Sequence, residues 1–132
     1  MLITKVEYFP ESKIQEDLED LVGLSYRELY SATARKLIDF SGRVVTKSGS
    51  IKTYKNGKLH SYHDDPAVIF STGSKVWYLE GKKTRIGGPA ETYSDGRIFW
   101  WLDDVLLRFP LYMSRMDEET QVKILLTYSG KI

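Results

Sequence analysis

A short pattern recurs through the middle of this chain at an almost fixed spacing, and that spacing limits the possible folds more than any other feature. Pro66-Ala67, Gly73 and Trp77 return as Pro89-Ala90, Gly96 and Trp100, each 23 residues on. A more worn copy precedes them at an offset of 24, with Gly49-Ser50, Tyr54 and Gly57 standing where Gly73-Ser74, Tyr78 and Gly81 stand later. Self-similarity at such a period marks one supersecondary unit stacked on itself, too small to bury its own apolar side.

Each copy reads as a β-hairpin. Strands over 43–46, 67–70 and 90–93 turn at Ser48-Gly49, Thr72-Gly73 and Asp95-Gly96, where glycine supplies the positive φ of a tight turn. Return strands over 51–54, 76–79 and 98–102 turn again at Asn56-Gly57, Glu80-Gly81 and Asp103-Asp104. The expected result is an antiparallel meander. Pro66 and Pro89 fall at strand starts, which tolerate a missing N–H donor.

The flanks read differently. Residues 2–9 alternate as a half-buried strand ending at Pro10. Ser12 caps an expected helix carrying Ile14, Leu18, Leu21 and Val22, closed by Gly23. Ser25 and Glu28 form a capping box for a second, which runs through Leu29, Leu37 and Phe40. Near the other end Pro110 stops the last strand, and Ser114 or Asp117 starts a helix with Val122, Leu125 and Leu126 as its apolar side. The expected architecture is α+β in one domain, 1–132: strand plus helical lid over 1–40, repeat sheet over 41–109, C-terminal helix over 110–132. The lid is needed because a sheet of three such copies cannot cover its own face.

Composition narrows the classes. With 132 residues and 42% hydrophobic content the chain suits one modest core. It has no cysteine, so disulfides and thiolate metal sites are excluded. No apolar run reaches the ~20 residues of a membrane span. The first residues lack a signal peptide's basic flank and apolar stretch, so a cytoplasmic location is expected. The net charge of +1 is uneven. Residues 1–40 carry five Lys/Arg against eight Asp/Glu, residues 41–88 nine against three, and residues 89–132 five against seven. A basic middle suits an anionic partner, but basic side chains on a meander also keep strand edges apart.

The core from Asn56 to Asp104 resembles MORN-type repeats, in the divergent form found in many phage and bacterial proteins. The resemblance rests on Asn56-Gly57-Lys58-Leu59-His60, Asp65-Pro66-Ala67, Gly73, Trp77-Tyr78 and Gly81-Lys82, followed by Gly88-Pro89-Ala90, Gly96 and Trp100-Trp101. Asp65 stands where the pattern has Gly, Thr84-Arg85 where it has Leu-His, and Asp104 in place of the last Gly. The match covers less than half of the chain. It implies a repeat sheet used for docking or assembly, with acidic-lipid binding attributed to some members, and a small phage accessory protein as the setting.

Candidate sites divide by chemistry. His60, His63, Asp64 and Asp65 have metal-ligand types, but a strand points His60 and His63 to opposite faces, and His60 falls on the repeat's own His position, which a turn hydrogen bond explains. No Gly-x-Ser-x-Gly elbow occurs, and Gly87-Gly88-Pro89 lacks the helix and Lys-Ser/Thr of a phosphate cradle. No cofactor, metal or catalytic residue is expected. The aromatics say more. Trp77 with Tyr78, and Trp100 with Trp101, place rings on both sheet faces, while Phe70 and Tyr93 recur at equivalent positions. The expected partner-binding face holds Tyr54, Tyr78 and Trp101 with Lys52, Lys75 and Arg97, and docks a protein; the alternative is burial of both faces. Nucleic-acid binding through the basic, aromatic-rich sheet is the rival, by base stacking and phosphate contacts. An acidic membrane ranks behind it for want of a basic amphipathic helix.

Overall fold

The computed structural model describes residues 3–13 and 39–132. The two helices expected between Ser12 and Phe40 lie outside the described residues. The order of elements is β1 (Ile3–Tyr8), β2 (Gly42–Thr46), β3 (Ile51–Lys55), β4 (Lys58–Leu59), β5 (Val68–Ile69), β6 (Lys75–Val76), β7 (Tyr78–Leu79), β8 (Lys82–Lys83), β9 (Glu91–Thr92), β10 (Ile98–Leu102), β11 (Val105–Leu107), α1 (Phe109–Ser114) and α2 (Glu118–Tyr128). Strands pair in the order β1-β2-β3-β5-β6-β9-β10-β11, with β4 on β3 and β7 on β8, and the pairings are antiparallel. No helix among the described residues is long and apolar enough to cross a membrane.

Two kinds of turn set this order, and each recurs at offsets of 24 and 23. Gly49, Gly73 and Gly96 have φ of 93, 94 and 97°. Each donates its amide three residues back, to the carbonyls of Thr46, Phe70 and Tyr93. At the other ends of the hairpins both central residues of the turn have positive φ: Asn56-Gly57 (48 and 79°), Glu80-Gly81 (47 and 87°) and Asp103-Asp104 (46 and 67°). That is the type I′ form, whose twist matches the flanking strands and which Asn, Asp and Gly tolerate best.

Bonds between successive hairpins recur in the same way. The amides of Ser71 and Ser94 donate to Oγ of Ser50 and Ser74, both at 3.2 Å. The amides of Thr53 and Trp77 donate to the carbonyls of Ala67 and Ala90, both at 2.7 Å.

Cross-strand partners share a sheet face. One face carries the row Lys52, Val68, Val76, Glu91 and Phe99; the other carries Ile51, Ile69, Lys75, Thr92 and Ile98. Among the described residues each face carries one core cluster, and the two sit at opposite ends. Val6 and Val44 extend the first row, where they are buried with Ile3, Phe40 and Tyr54. At the far end, on the second face, Trp100 is buried with Tyr112, Met116 and Ile124, and Ile98, Leu102 and Leu107 pack around them.

The C-terminal helices differ from the sequence expectation in two ways. Pro110 does not simply stop the strand; it sits in the first turn of α1, where a proline's missing N–H costs nothing. Asp117 does cap α2, its carboxylate accepting the Thr120 amide at 2.7 Å. The buried side of α2 is Ile124, however, while Val122, Leu125 and Leu126 are exposed at 55, 47 and 79%. α2 thus lies on Trp100 through Ile124 and Tyr128, with Tyr128 edge-on to the indole at 5.6 Å.

Candidate functional site: an open aromatic groove

On the first face Val68 of β5 and Val76 of β6 are buried, while Phe70 is exposed and Tyr78, Glu91 and Tyr93 are partly exposed beside them. A groove of about 550 Å³ opens there, with Val76 in its floor and Phe70, Tyr78, Tyr93, Lys83 and Glu91 among its walls. Strand alternation puts these side chains together: Val76 and Tyr78 are two apart, as are Glu91 and Tyr93.

Glu91 organises the polar part. Its Oε2 accepts from Tyr93 Oη at 3.2 Å and Lys83 Nζ at 3.5 Å, and its Oε1 accepts from Trp101 Nε1 at 3.1 Å. Lys83 Nζ also lies 4.4 Å from the centre of the Trp101 ring. At the rim the Arg97 guanidinium stands 4.5 Å over Tyr93 and donates to Asp95 Oδ2 at 2.8 Å. The Tyr78 phenol is pushed up by burial and then by Glu91 and Asp104; that of Tyr93 is pushed up chiefly by the Glu91 charge. Both phenols therefore stay protonated at neutral pH, as donors on ring-sized apolar bodies.

The expected binding residues divide across this geometry. Tyr78 and Arg97 line the groove, and Trp101 reaches it through Glu91 and Lys83. Lys52 belongs to the same face but is half-buried, with burial lowering its pKa. Tyr54 is in the first core at 2% exposure and offers no docking surface. Lys75 points to the opposite face, paired with Ile69 and Thr92. Glu91 was not foreseen; its signal was an acid in the copy position held 23 residues earlier by Val68.

On the other face a smaller cleft of about 280 Å³ is lined by Phe9, Arg43, Ile51, Tyr62 and Ile69. Further along, Trp77 donates through Nε1 to the Asp64 carbonyl at 2.8 Å, while Arg85 stacks on its ring at 3.9 Å and forks onto the Asp64 carboxylate at 3.0 and 3.1 Å. That stack is a tie between copies, since Arg85 Nη1 also donates to the Pro89 carbonyl at 3.1 Å.

The histidines have separate roles. His60 Nδ1 accepts the Glu80 amide at 3.0 Å, the turn-side bond expected of its repeat position. His63 sits in a turn with φ of 54°. Among the described residues no group of three or more His, Asp or Glu comes together to hold a metal. Compared with known protein families, characterised proteins and solved structures, the chain matches none.

Proposed function

We propose that this chain is a non-catalytic protein-binding module: three MORN-like hairpin copies that dock a partner protein in the aromatic groove. The setting we propose is a small phage-type accessory protein that modulates or inhibits a host protein in the host cytoplasm. The observation that carries the reading is the open groove itself. Phe70, Tyr78 and Tyr93 line it, with stacked cations at Lys83 and Arg97, and large rings beside such cations form binding hot spots. Glu91 favours docking over catalysis, because Lys83, Tyr93 and Trp101 already occupy its oxygens.

The basic middle of the chain does not make one continuous track for a phosphate backbone. Lys52 and Lys75 occupy opposite faces, while Lys47 lies at one row of turns and Lys55, Lys58 and Lys82 at the other. The test is capture of partners from host lysate by the wild type and by Tyr93→Ala with Arg97→Ala. Both side chains border solvent, so folding stability should change by only about 0.5 kcal/mol per site, while a docking groove loses its partner about tenfold or more. Equal capture by both proteins would refute the groove. A bound fraction that falls steeply with log salt and vanishes after nuclease treatment would replace the protein by a nucleic acid.

A further inference from the structure

β11 lies at an edge of the sheet and, among the described residues, pairs with β10 alone. In the earlier copies the corresponding backbone is taken up by the next turn. The Leu59 carbonyl accepts the Gly81 amide at 2.8 Å, and the Lys83 carbonyl accepts the Asp104 amide at 2.9 Å. One period on, Leu106 stands in that position, and no amide of the described residues donates to it.

The orientation of its polar groups follows from the turn. Leu102 and Val105 flank the two-residue turn at Asp103-Asp104 and exchange both ladder bonds. The next pair, Trp101 and Leu106, must then direct its N–H and C=O groups away from each other. Trp101 does so: its carbonyl accepts the Arg85 amide from the other side at 3.3 Å. The N–H and C=O of Leu106 therefore face the open edge. β1 blunts its own edge with exposed Lys5 and Glu7, as sheet edges commonly do, but β11 has no charge within it, and Val105 and Leu106 are exposed at 55 and 51%.

The edge is also complementary to itself. It reads Asp104-Val105-Leu106-Leu107-Arg108. An antiparallel copy centred on Leu106 sets Leu106 against Leu106, Val105 against Leu107, and exposed Asp104 against exposed Arg108 at both ends. A parallel copy in register would set Asp104 against Asp104 and Arg108 against Arg108. We propose that the chain pairs with a second copy of itself through β11, antiparallel about Leu106, continuing the sheet across a two-fold axis. Each Leu106 amide donates to the other's carbonyl, and an acid–base contact closes each end. Such an isologous contact uses the same patch twice, so it stops at a dimer. A three-residue edge buries far less than the ~800 Å² per partner of a standard interface, so the dissociation constant should be on the order of 0.1 mM. The pairing uses no side chain that lines the groove, so it stands or falls apart from the docking reading.

The test is sedimentation velocity of the full chain from about 10 µM to about 1 mM, spanning that constant. The wild type should pass from monomer to dimer. Arg108→Glu sets acid against acid twice and Asp104→Lys sets base against base twice, so each alone should associate at least tenfold more weakly. An equimolar mixture of the two makes both end contacts acid–base again and should restore the dimer. Leu106→Lys, which leaves both end charges in place, should be monomeric. Asp104→Lys also removes the bond from the Lys83 amide to Asp104 Oδ1 (2.6 Å), so circular dichroism checks its fold; if it unfolds, Leu106→Lys and Arg108→Glu decide alone. A wild type monomeric throughout would overturn the proposal. So would a dimer indifferent to these changes, a mixture of two folded variants no better than either alone, or a dimer abolished by Leu126→Lys on α2 instead.

Discussion

Tyr112→Phe isolates a single hydroxyl on which the C-terminal helices depend. The ring is fully buried and packs 4.8 Å from Trp100, so phenylalanine keeps the apolar contact. The hydroxyl accepts the amides of Gly87 and Gly88 at 3.1 and 3.3 Å, and its proton lies within reach of the carbonyls of Arg85 at 2.5 Å and Gly88 at 3.0 Å. Removing it strands two amides and one carbonyl. An orphaned buried polar group costs about 1–3 kcal/mol. Gly88 is buried and bears that in full, whereas Gly87 is partly open to water, so the sum should be about 2–4 kcal/mol. For a domain of this size that lowers Tm by roughly 10 °C. Urea unfolding followed by tryptophan fluorescence should show a lower midpoint at unchanged m, since the native surface is preserved. A loss below about 0.5 kcal/mol would refute the reasoning, because it would mean that these amides find other partners and α1 is held by packing alone.

Two further outcomes follow from bonds between copies. Arg85→Lys keeps the charge but loses the fork onto Asp64 and the planar stack on Trp77; it should cost about 1–2 kcal/mol in urea unfolding, and a variant as stable as the wild type would show that charge alone suffices. His60 makes stability pH-dependent: only the unprotonated Nδ1 can accept the Glu80 amide, and burial, helped by Lys55 and opposed by Glu80, lowers its pKa from 6.5. As the pH falls the unfolded chain takes up this proton first, so the contribution is full above about pH 6.5 and is lost as the pH falls through the lower, folded pKa. The wild type should lose Tm relative to His60→Phe between about pH 7.5 and about pH 5; parallel Tm curves would refute it.

What was legible in the sequence had a local cause. Gly49, Gly73 and Gly96, with the pairs ending at Gly57, Gly81 and Asp104, need positive φ, and a need of that kind shows in the residue type wherever it falls. The hairpins, their order and the bond at His60 followed from these turns. Which face each core occupies was not legible, because alternation fixes parity and not cover: Trp77 and Tyr78 had to part, but nothing in the pair says which is roofed. Tyr54 shows the cost, sharing Tyr78's repeat position yet lying under the first core. Lys75 was a different error, since it is three residues from Tyr78 and odd separations on a strand face opposite ways. In α2, Val122, Ile124, Leu125 and Leu126 spread over more than half of the helix circumference, so the pattern could not single out Ile124.

The groove follows from where the chain spends its apolar side chains. Among the described residues the two cores lie at opposite ends of the sheet, each on one face. Along the first face the row of cross-strand partners changes: Val44, Lys52, Val68 and Val76 give way to Glu91. A carboxylate in that row would be expensive beneath a roof. Lys83, Tyr93 and Trp101 converge on it instead, which leaves rings and paired charges on an open surface rather than a bare apolar strip. The acid that stands for a valine between two copies of one pattern therefore marks where buried apolar packing gives way to the polar network around Glu91.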